Sequence, residues 1–306
     1  MSDKDTLLSE LDRLDTEGSN LESHRLDELS PPDIAALINR EDHKVALAIK
    51  LHLGPIATVI GAATKSLQSG HRIIYQGAGT SGRLGVLDAA ECPPTFGAEP
   101  GVVVGLLAGG LEAMFEAKEG AEDDRFAGVS DLKDIGLTAG DTLVGISASG
   151  RTPYVMAGLE YGNEIGAQTA AITCSRVSKC GAIADTAIDV SPGPEVLTGS
   201  TRMKAGSVQK MILNMISTGA MVGAGKCYGN LMVDVQATNA KLEARAIRIV
   251  MQATQASKAQ SEAALQACGG SAKTAIAAIL LNSSPEEAEA LLAETGGKLR
   301  PLIERS

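Results

Sequence analysis

Between residues 54 and 225 the chain alternates short β-rich runs with longer stretches of helical spacing. The runs 72–76, 102–107, 142–146, 169–173 and 186–190 are rich in Val, Ile and Leu and lack an apolar–polar alternation, the pattern of strands buried on both faces. Five such strands separated by helices predict an α/β fold with a doubly wound, five-stranded parallel sheet. Before it, residues 1–53 read as a helical segment, in which Ser30-Pro31-Pro32-Asp33 starts a helix carrying Ile34, Leu37, Ile38, Val45, Leu47 and Ile49. Residues 235–306 read as a small helical bundle. They are alanine-rich, broken at Gly269-Gly270 and Gly296-Gly297, and carry a capping box from Ser284 to Glu287.

Two of the predicted strands run into loops suited to phosphate. Ile73-Ile74-Tyr75-Gln76 leads into Gly77-Ala78-Gly79-Thr80-Ser81-Gly82, and Leu143-Val144-Gly145-Ile146 leads into Ser147-Ala148-Ser149-Gly150-Arg151-Thr152-Pro153. Glycine lets the backbone approach an anion, and a helix N-terminus offers unpaired N–H groups and a partial positive charge. Ser147, Ser149 and Thr152 add three hydroxyls in one turn, more than a helix cap needs. In an open parallel sheet the carboxyl ends of the strands share one edge, so both loops should converge on one crevice. The first loop also satisfies the dinucleotide-binding glycine pattern. That reading requires Asp or Glu near the end of the next strand, and Val102-Val103-Val104-Gly105-Leu106-Leu107-Ala108-Gly109-Gly110 offers none.

Composition narrows the ligand. The formal net charge of −10, the absence of Trp and a 2% aromatic content disfavour nucleic acid, so phosphate has to be held locally. Five cysteines without Cys-x-x-Cys spacing and four histidines confined to the first quarter suggest neither a disulfide frame nor a metal site. An acidic, polar N-terminus and the lack of a run of eighteen apolar residues point to a cytoplasmic protein.

The hydroxyl loops resemble the sugar isomerase (SIS) phosphosugar-binding domain, a flavodoxin-like fold. The run Gly77-Ala78-Gly79-Thr80-Ser81-Gly82-Arg83-Leu84-Gly85-Val86-Leu87-Asp88-Ala89-Ala90-Glu91-Cys92-Pro93-Pro94-Thr95 resembles the N-acetylmuramic acid 6-phosphate etherases. So does Leu197-Thr198-Gly199-Ser200-Thr201-Arg202-Met203-Lys204-Ala205-Gly206-Ser207-Val208-Gln209-Lys210, with Tyr228-Gly229-Asn230-Leu231-Met232-Val233-Asp234 after it. The resemblance covers nearly the whole chain, and glucokinase regulatory protein, a sugar-phosphate binder without chemistry, shares parts of it. One departure lies at Ser19, where the family carries Arg before Asn.

The resemblance implies a hydro-lyase-type etherase with no metal or organic cofactor, which releases D-lactate from N-acetylmuramic acid 6-phosphate during peptidoglycan recycling. It implies that Thr80, Ser81, Ser147, Ser149 and Thr152 bind phosphate, that Ser200, Thr201 and Lys204 meet the sugar, with Lys204 near the developing oxyanion, and that Glu91 and Glu122 act as proton donor and base. It also implies a UBA-like C-terminal bundle. The residues themselves support Glu91 better. It follows Val86, Leu87, Ala89 and Ala90 and is expected in apolar surroundings, which suit a proton donor. Glu122 lies among Glu112, Glu116, Glu119, Asp123 and Asp124, which alone reads as a solvated helix face. Ser81 and Glu91 are ten residues apart, about 15 Å along an ideal helix, longer than a hexose phosphate. A homodimer with shared active sites is therefore expected. A silent sugar-phosphate sensor and an aldose–ketose isomerase are the alternatives.

Overall fold

The computed structural model describes residues 15–235 and 240–304. The first fourteen residues of the expected helical segment lie outside the described residues. From Asp15 that segment is three short 3-10 turns followed by helix α1 (Pro31–Lys50). Helix α2 (Leu53–Gln68) leads into the sheet, built as β1 (Ile73–Gly77), α3 (Gly79–Phe96), β2 (Val103–Leu107), α4 (Arg125–Asp134), β3 (Thr142–Ser147), α5 (Pro153–Ile165), β4 (Gln168–Thr173), α6 (Lys179–Ile183) and β5 (Thr186–Asp189). Helix α7 (Lys204–Gly223) and a two-strand ladder, β6 (Cys227–Tyr228) and β7 (Leu231–Met232), follow. Five helices end the described chain: α8 (Ala240–Thr254), α9 (Lys258–Ala267), α10 (Ala272–Leu281), α11 (Pro285–Glu294) and α12 (Leu299–Ile303).

All four pairings in the main sheet are parallel and the order is β2-β1-β3-β4-β5, the doubly wound flavodoxin-like arrangement. Side chains alternate across it as the pleat requires. Ile73, Tyr75, Val144, Ile146 and Ile172 pack against α1, α2, α3 and α7, while Ile74, Leu143 and Ala171 pack against α4, α5 and α6. A separate apolar cluster, from Val233 to Leu302, belongs to the terminal helices. The capping box at Ser284 and Glu287 forms at the start of α11, with a second at Ser257 and Gln260. No single helix among the described residues is long and apolar enough to cross a membrane.

One ion pair sits inside the helical layer. Lys204, at the start of α7, is 1% exposed and its Nζ donates to Glu41 Oε2 of α1 at 2.7 Å; Glu41 is equally buried and also accepts from Lys44 at 2.6 Å. Burial alone would push the Glu41 carboxyl up, but the two ammonium groups outweigh it and hold it down at about 2. Glu41→Gln leaves the Lys204 ammonium buried without a countercharge, and a loss of about 3–5 kcal/mol is expected from a broken buried pair. The sign with pH follows from the lowered value. The stability contributed by ionised Glu41 is complete above its ordinary 4.5 and is lost as pH falls toward 2. Thermal unfolding of both forms from neutral pH down checks this; a variant with the parent's melting temperature and acid slope would show that the pair contributes nothing.

Candidate active site

The carboxyl ends of β1 and β3 are flush, with Gly77 paired to Ile146, so the two hydroxyl loops meet at the point where the strand order reverses, the usual ligand crevice of an open α/β sheet. Each loop is shaped by close backbone approach. A Cβ on Gly82 would lie 2.4 Å from the Gly77 carbonyl oxygen, and Gly150, at φ +68°, has no room for one beside Ser178. Side-chain caps are missing at both helix starts. Neither Ala78 before α3 nor Thr152 before α5 caps its helix, because the Thr152 hydroxyl is 2.8 Å from Ser147 Oγ instead. First-turn N–H groups at two converging N-termini are thus left for an anion.

Ser81 and Ser147 are buried, and Ser149 and Thr152 are half-buried. Ser81 Oγ donates to Gln209 Oε1 of α7 at 3.0 Å, and Ser149 Oγ accepts from the Arg151 N–H at 3.3 Å. The start of α7 joins this edge. A Cβ on Gly206 would lie 3.6 Å from Thr80 Cγ2 and 3.7 Å from the Thr201 carbonyl oxygen, so Thr80 and Thr201 are neighbours, with Ser200 half-buried beside them.

The two carboxylates part company. Glu122 is exposed on a 3-10 turn (Ala121–Asp123), not on a helix face, and lines a crevice of about 130 Å³ together with Ala78 and Gly79 of the first loop. Glu91 lies at the other end of α3 in a separate cavity of about 410 Å³, with Leu87, Asp88, Lys210, Asn214 and Ser217. The two cavities share no residue. The expected apolar surroundings of Glu91 are not found; its side chain is exposed, because Val86, Ala89 and Ala90 turn to other faces of the helix and Leu87, one turn back on the same face, is itself 44% exposed.

Relatives decide the family. Residues 55–163 match the glucokinase regulatory protein N-terminal SIS domain. An N-acetylmuramic acid 6-phosphate etherase of Geobacillus sp. (strain WCH70) is 51% identical over 96% of this chain and all of its own. The etherase of the same name from Escherichia coli O81 (strain ED1a) is 52% identical over 97% of this chain and 99% of its own. The chain belongs to the N-acetylmuramic acid 6-phosphate etherase family. Among solved structures, a phosphoheptose isomerase from Neisseria gonorrhoeae is 20% identical, with a TM-score of 0.49 over 62% of this chain and 97% of its own.

Within this etherase-family chain, one expected substrate contact is corrected. Lys204 is buried against Glu41, so its ammonium is committed inside the protein and does not face the crevice. Its helix start is also occupied. The backbone N–H groups of Lys204 and Ala205 donate to the Glu195 carboxylate at 3.0 and 2.9 Å. Burial pushes that carboxyl up, partly offset by the two N–H bonds and the Lys204 ammonium. The protein's own anion thus fills the α7 N-terminus, whereas those of α3 and α5 stay open. Ser19 Oγ lies 3.1 Å from His24 Nε2, and the adjoining Asn20 side chain donates to the Pro194 carbonyl.

Gln209, Glu41, Glu195, Asp88 and Lys210 were not singled out by sequence. For Gln209 the signal was a polar residue in phase with the apolar Val208, Ile212, Leu213 and Ile216 of α7, a position that is kept polar only when it has a partner. Gly82→Ala tests whether the loop geometry matters. With a Cβ 2.4 Å from the Gly77 oxygen and 2.6 Å from Leu107 Cδ1, the first turn of α3 has to shift, and phosphosugar affinity is expected to fall at least about tenfold as aligned charge-assisted bonds are lost. Calorimetric titration with N-acetylglucosamine 6-phosphate reads this; unchanged affinity would show that the turn does not bind phosphate.

Proposed function

We propose that the chain is an N-acetylmuramic acid 6-phosphate etherase, a carbon–oxygen lyase that yields N-acetylglucosamine 6-phosphate and D-lactate in peptidoglycan recycling in the cytoplasm. The observation that carries this reading is the pair of uncapped, hydroxyl-lined helix starts at the ends of β1 and β3, with Glu122 in a crevice shared with Ala78 and Gly79 of the first, in a chain 51% identical to an etherase over 96% of its length. We divide it into a helical N-terminal segment (1–53), a phosphosugar domain (54–225) and a helical C-terminal domain (235–306).

Phosphate is held by Thr80, Ser81, Ser147, Ser149 and Thr152, through hydroxyl donors and the N–H groups of α3 and α5. Ser200 and Thr201, next to Thr80, meet the sugar. In the open-chain aldehyde the proton on C2 is acidified by the carbonyl, and Glu122 removes it. The C3–O bond then breaks, Glu91 gives its proton to the departing ether oxygen, and D-lactate leaves. Water adds across the resulting C2=C3 bond to give the product, so atoms balance without a cofactor.

Glu91 and Glu122 lie in separate cavities, and Glu91 is about 15 Å along α3 from Ser81. One substrate therefore takes its loops and Glu122 from one subunit and Glu91 from a second copy of the chain. Leu87, a 44% exposed leucine in the Glu91 cavity, suits a face covered by a partner.

Glu91→Gln is expected to lower D-lactate release by about 10²–10⁴-fold, the usual worth of a positioned acid, with N-acetylglucosamine 6-phosphate still bound. Normal D-lactate release would refute the acid assignment, whereas a parent protein that releases none would favour the sensor or isomerase readings. Mixing inactive Glu91→Gln and Glu122→Gln subunits one to one rebuilds one whole site in each mixed dimer. Activity should recover to about a quarter of the parent's if exchange is statistical in a two-fold dimer, whereas a mixture that stays inactive would mean each site is built within one chain.

A further inference from the structure

The Glu91 cavity holds a cation that the phosphate loops do not use. Asp88, Glu91 and Cys92 fall on one face of α3, and Lys210, Asn214 and Ser217 face them from α7, all lining the same cavity. Lys210 is about one-third exposed; its Nζ donates to Asn214 Oδ1 at 2.6 Å and stands 3.6 Å from Asp88 Oδ1. Asp88 is 4% exposed and its Oδ2 has no hydrogen-bond partner. Burial and the Asp88 charge push the neighbouring Cys92 thiol up to about 12, so the thiol stays neutral and leaves the cavity's charge to Asp88, Glu91 and Lys210.

An ammonium has three donors, and this one is tethered by an amide and one distant carboxylate oxygen, so it keeps a donor for a ligand. Among the described residues Lys210 is the cation that lines the Glu91 cavity, and those near the two loops have partners elsewhere in the protein. Lys204 is paired with Glu41, Arg83 donates to the carbonyls of Ala113 and Met114, and Lys118 donates to Glu112.

The substrate carries a second anion. Its lactyl carboxylate is borne by the carbon attached to the ether oxygen, and an acid that protonates this oxygen has to stand within hydrogen-bond reach of it. The carboxylate is thereby brought beside Glu91, where two protein carboxyls would repel it unless a cation is present.

We propose that Lys210 binds the lactyl carboxylate and so selects lactyl ethers over plain hexosamine phosphates, with Asp88 as the positioning residue that holds its ammonium in the cavity. This inference rests on the etherase reading and on Glu91 as the acid. Lys210 travels with Glu91, so both reach the substrate from the same subunit.

Lys210→Met, Lys210→Arg and the charge-balanced double variant Asp88→Asn/Lys210→Met test it, with N-acetylmuramic acid 6-phosphate as substrate and N-acetylglucosamine 6-phosphate, which lacks the lactyl group, as competing product. Lys210→Met is expected to raise KM about 10–100-fold, the range for a lost bond between charged groups, while the product's inhibition constant stays within about twofold of the parent's. Lys210→Arg restores most of the loss because it restores the charge. The double variant leaves no unbalanced carboxylate in the cavity and should show the same split at the parent's melting temperature. A KM unchanged in both Met variants, or a product inhibition constant that rises in step with KM, would overturn the proposal. Parent protein that releases no D-lactate would instead bring down the etherase reading, and with it this inference.

Discussion

The seat of α3 on the sheet is set by the absence of side chains. A Cβ on Gly77 would lie 2.7 Å from the Gly82 nitrogen, one on Gly85 2.9 Å from Tyr75 Cβ, and one on Gly105 2.5 Å from Val86 Cα. Helix and strands therefore lie closer than any alanine would allow, and the first turn of α3 is pressed onto the end of β1. Its N–H groups point into the crevice because the helix cannot stand off. The same contact fixes the far end. Ser81 at one end and Glu91 at the other belong to a rod held at three glycines, so no local adjustment can bring both to one hexose phosphate. The second copy of the chain that the proposed site calls for thus follows from glycine packing.

Charge inside the protein is organised around α7. Lys204 is paired with Glu41, and Glu195 holds the two N–H groups at the helix start, so the N-terminus of α7 is tied to α1 and to the loop after β5. Gln209, one turn further, accepts from Ser81 and carries that anchoring into the phosphate crevice. The energetic worth of a buried ion pair is small against well-packed apolar residues; what this one provides is register. With Lys204 fixed, Gln209 falls beside Ser81 and Lys210 beside Asp88. Two adjacent residues of α7 then meet the first turn and the middle of α3.

Much of this was legible in the sequence. Five strands appear within one or two residues of where their apolar runs placed them, because a strand buried on both faces leaves little room for polar residues. Both hydroxyl loops appear at one edge because parallel strands put their carboxyl ends together. Tertiary partners were not legible. Lys204 has the sequence signature of a substrate contact, yet Glu41, far upstream on α1, takes its ammonium. The apolar neighbours of Glu91 in sequence do not enclose it in space, since four successive residues span a full helical turn and Leu87, on the same face one turn back, is itself exposed. Residues 112–123 form short 3-10 turns instead of the helix their charge spacing allowed, and so carry Glu122 to the rim of the crevice.

The exposure of both carboxylates in the single chain bears on how acid and base are told apart. An acid and a base of the same residue type need environments that differ in desolvation and in nearby charge. Glu122 lines its crevice together with Ala78 and Gly79, at the uncapped start of α3. Glu91 shares its cavity with the buried Asp88 and with Leu87, Cys92 and Phe96. In the proposed two-chain site a second subunit would cover that cavity and exclude water from it. On that proposal the difference in environment that an acid and a base require comes from assembly, because the partner closes the Glu91 cavity and not the crevice at Glu122.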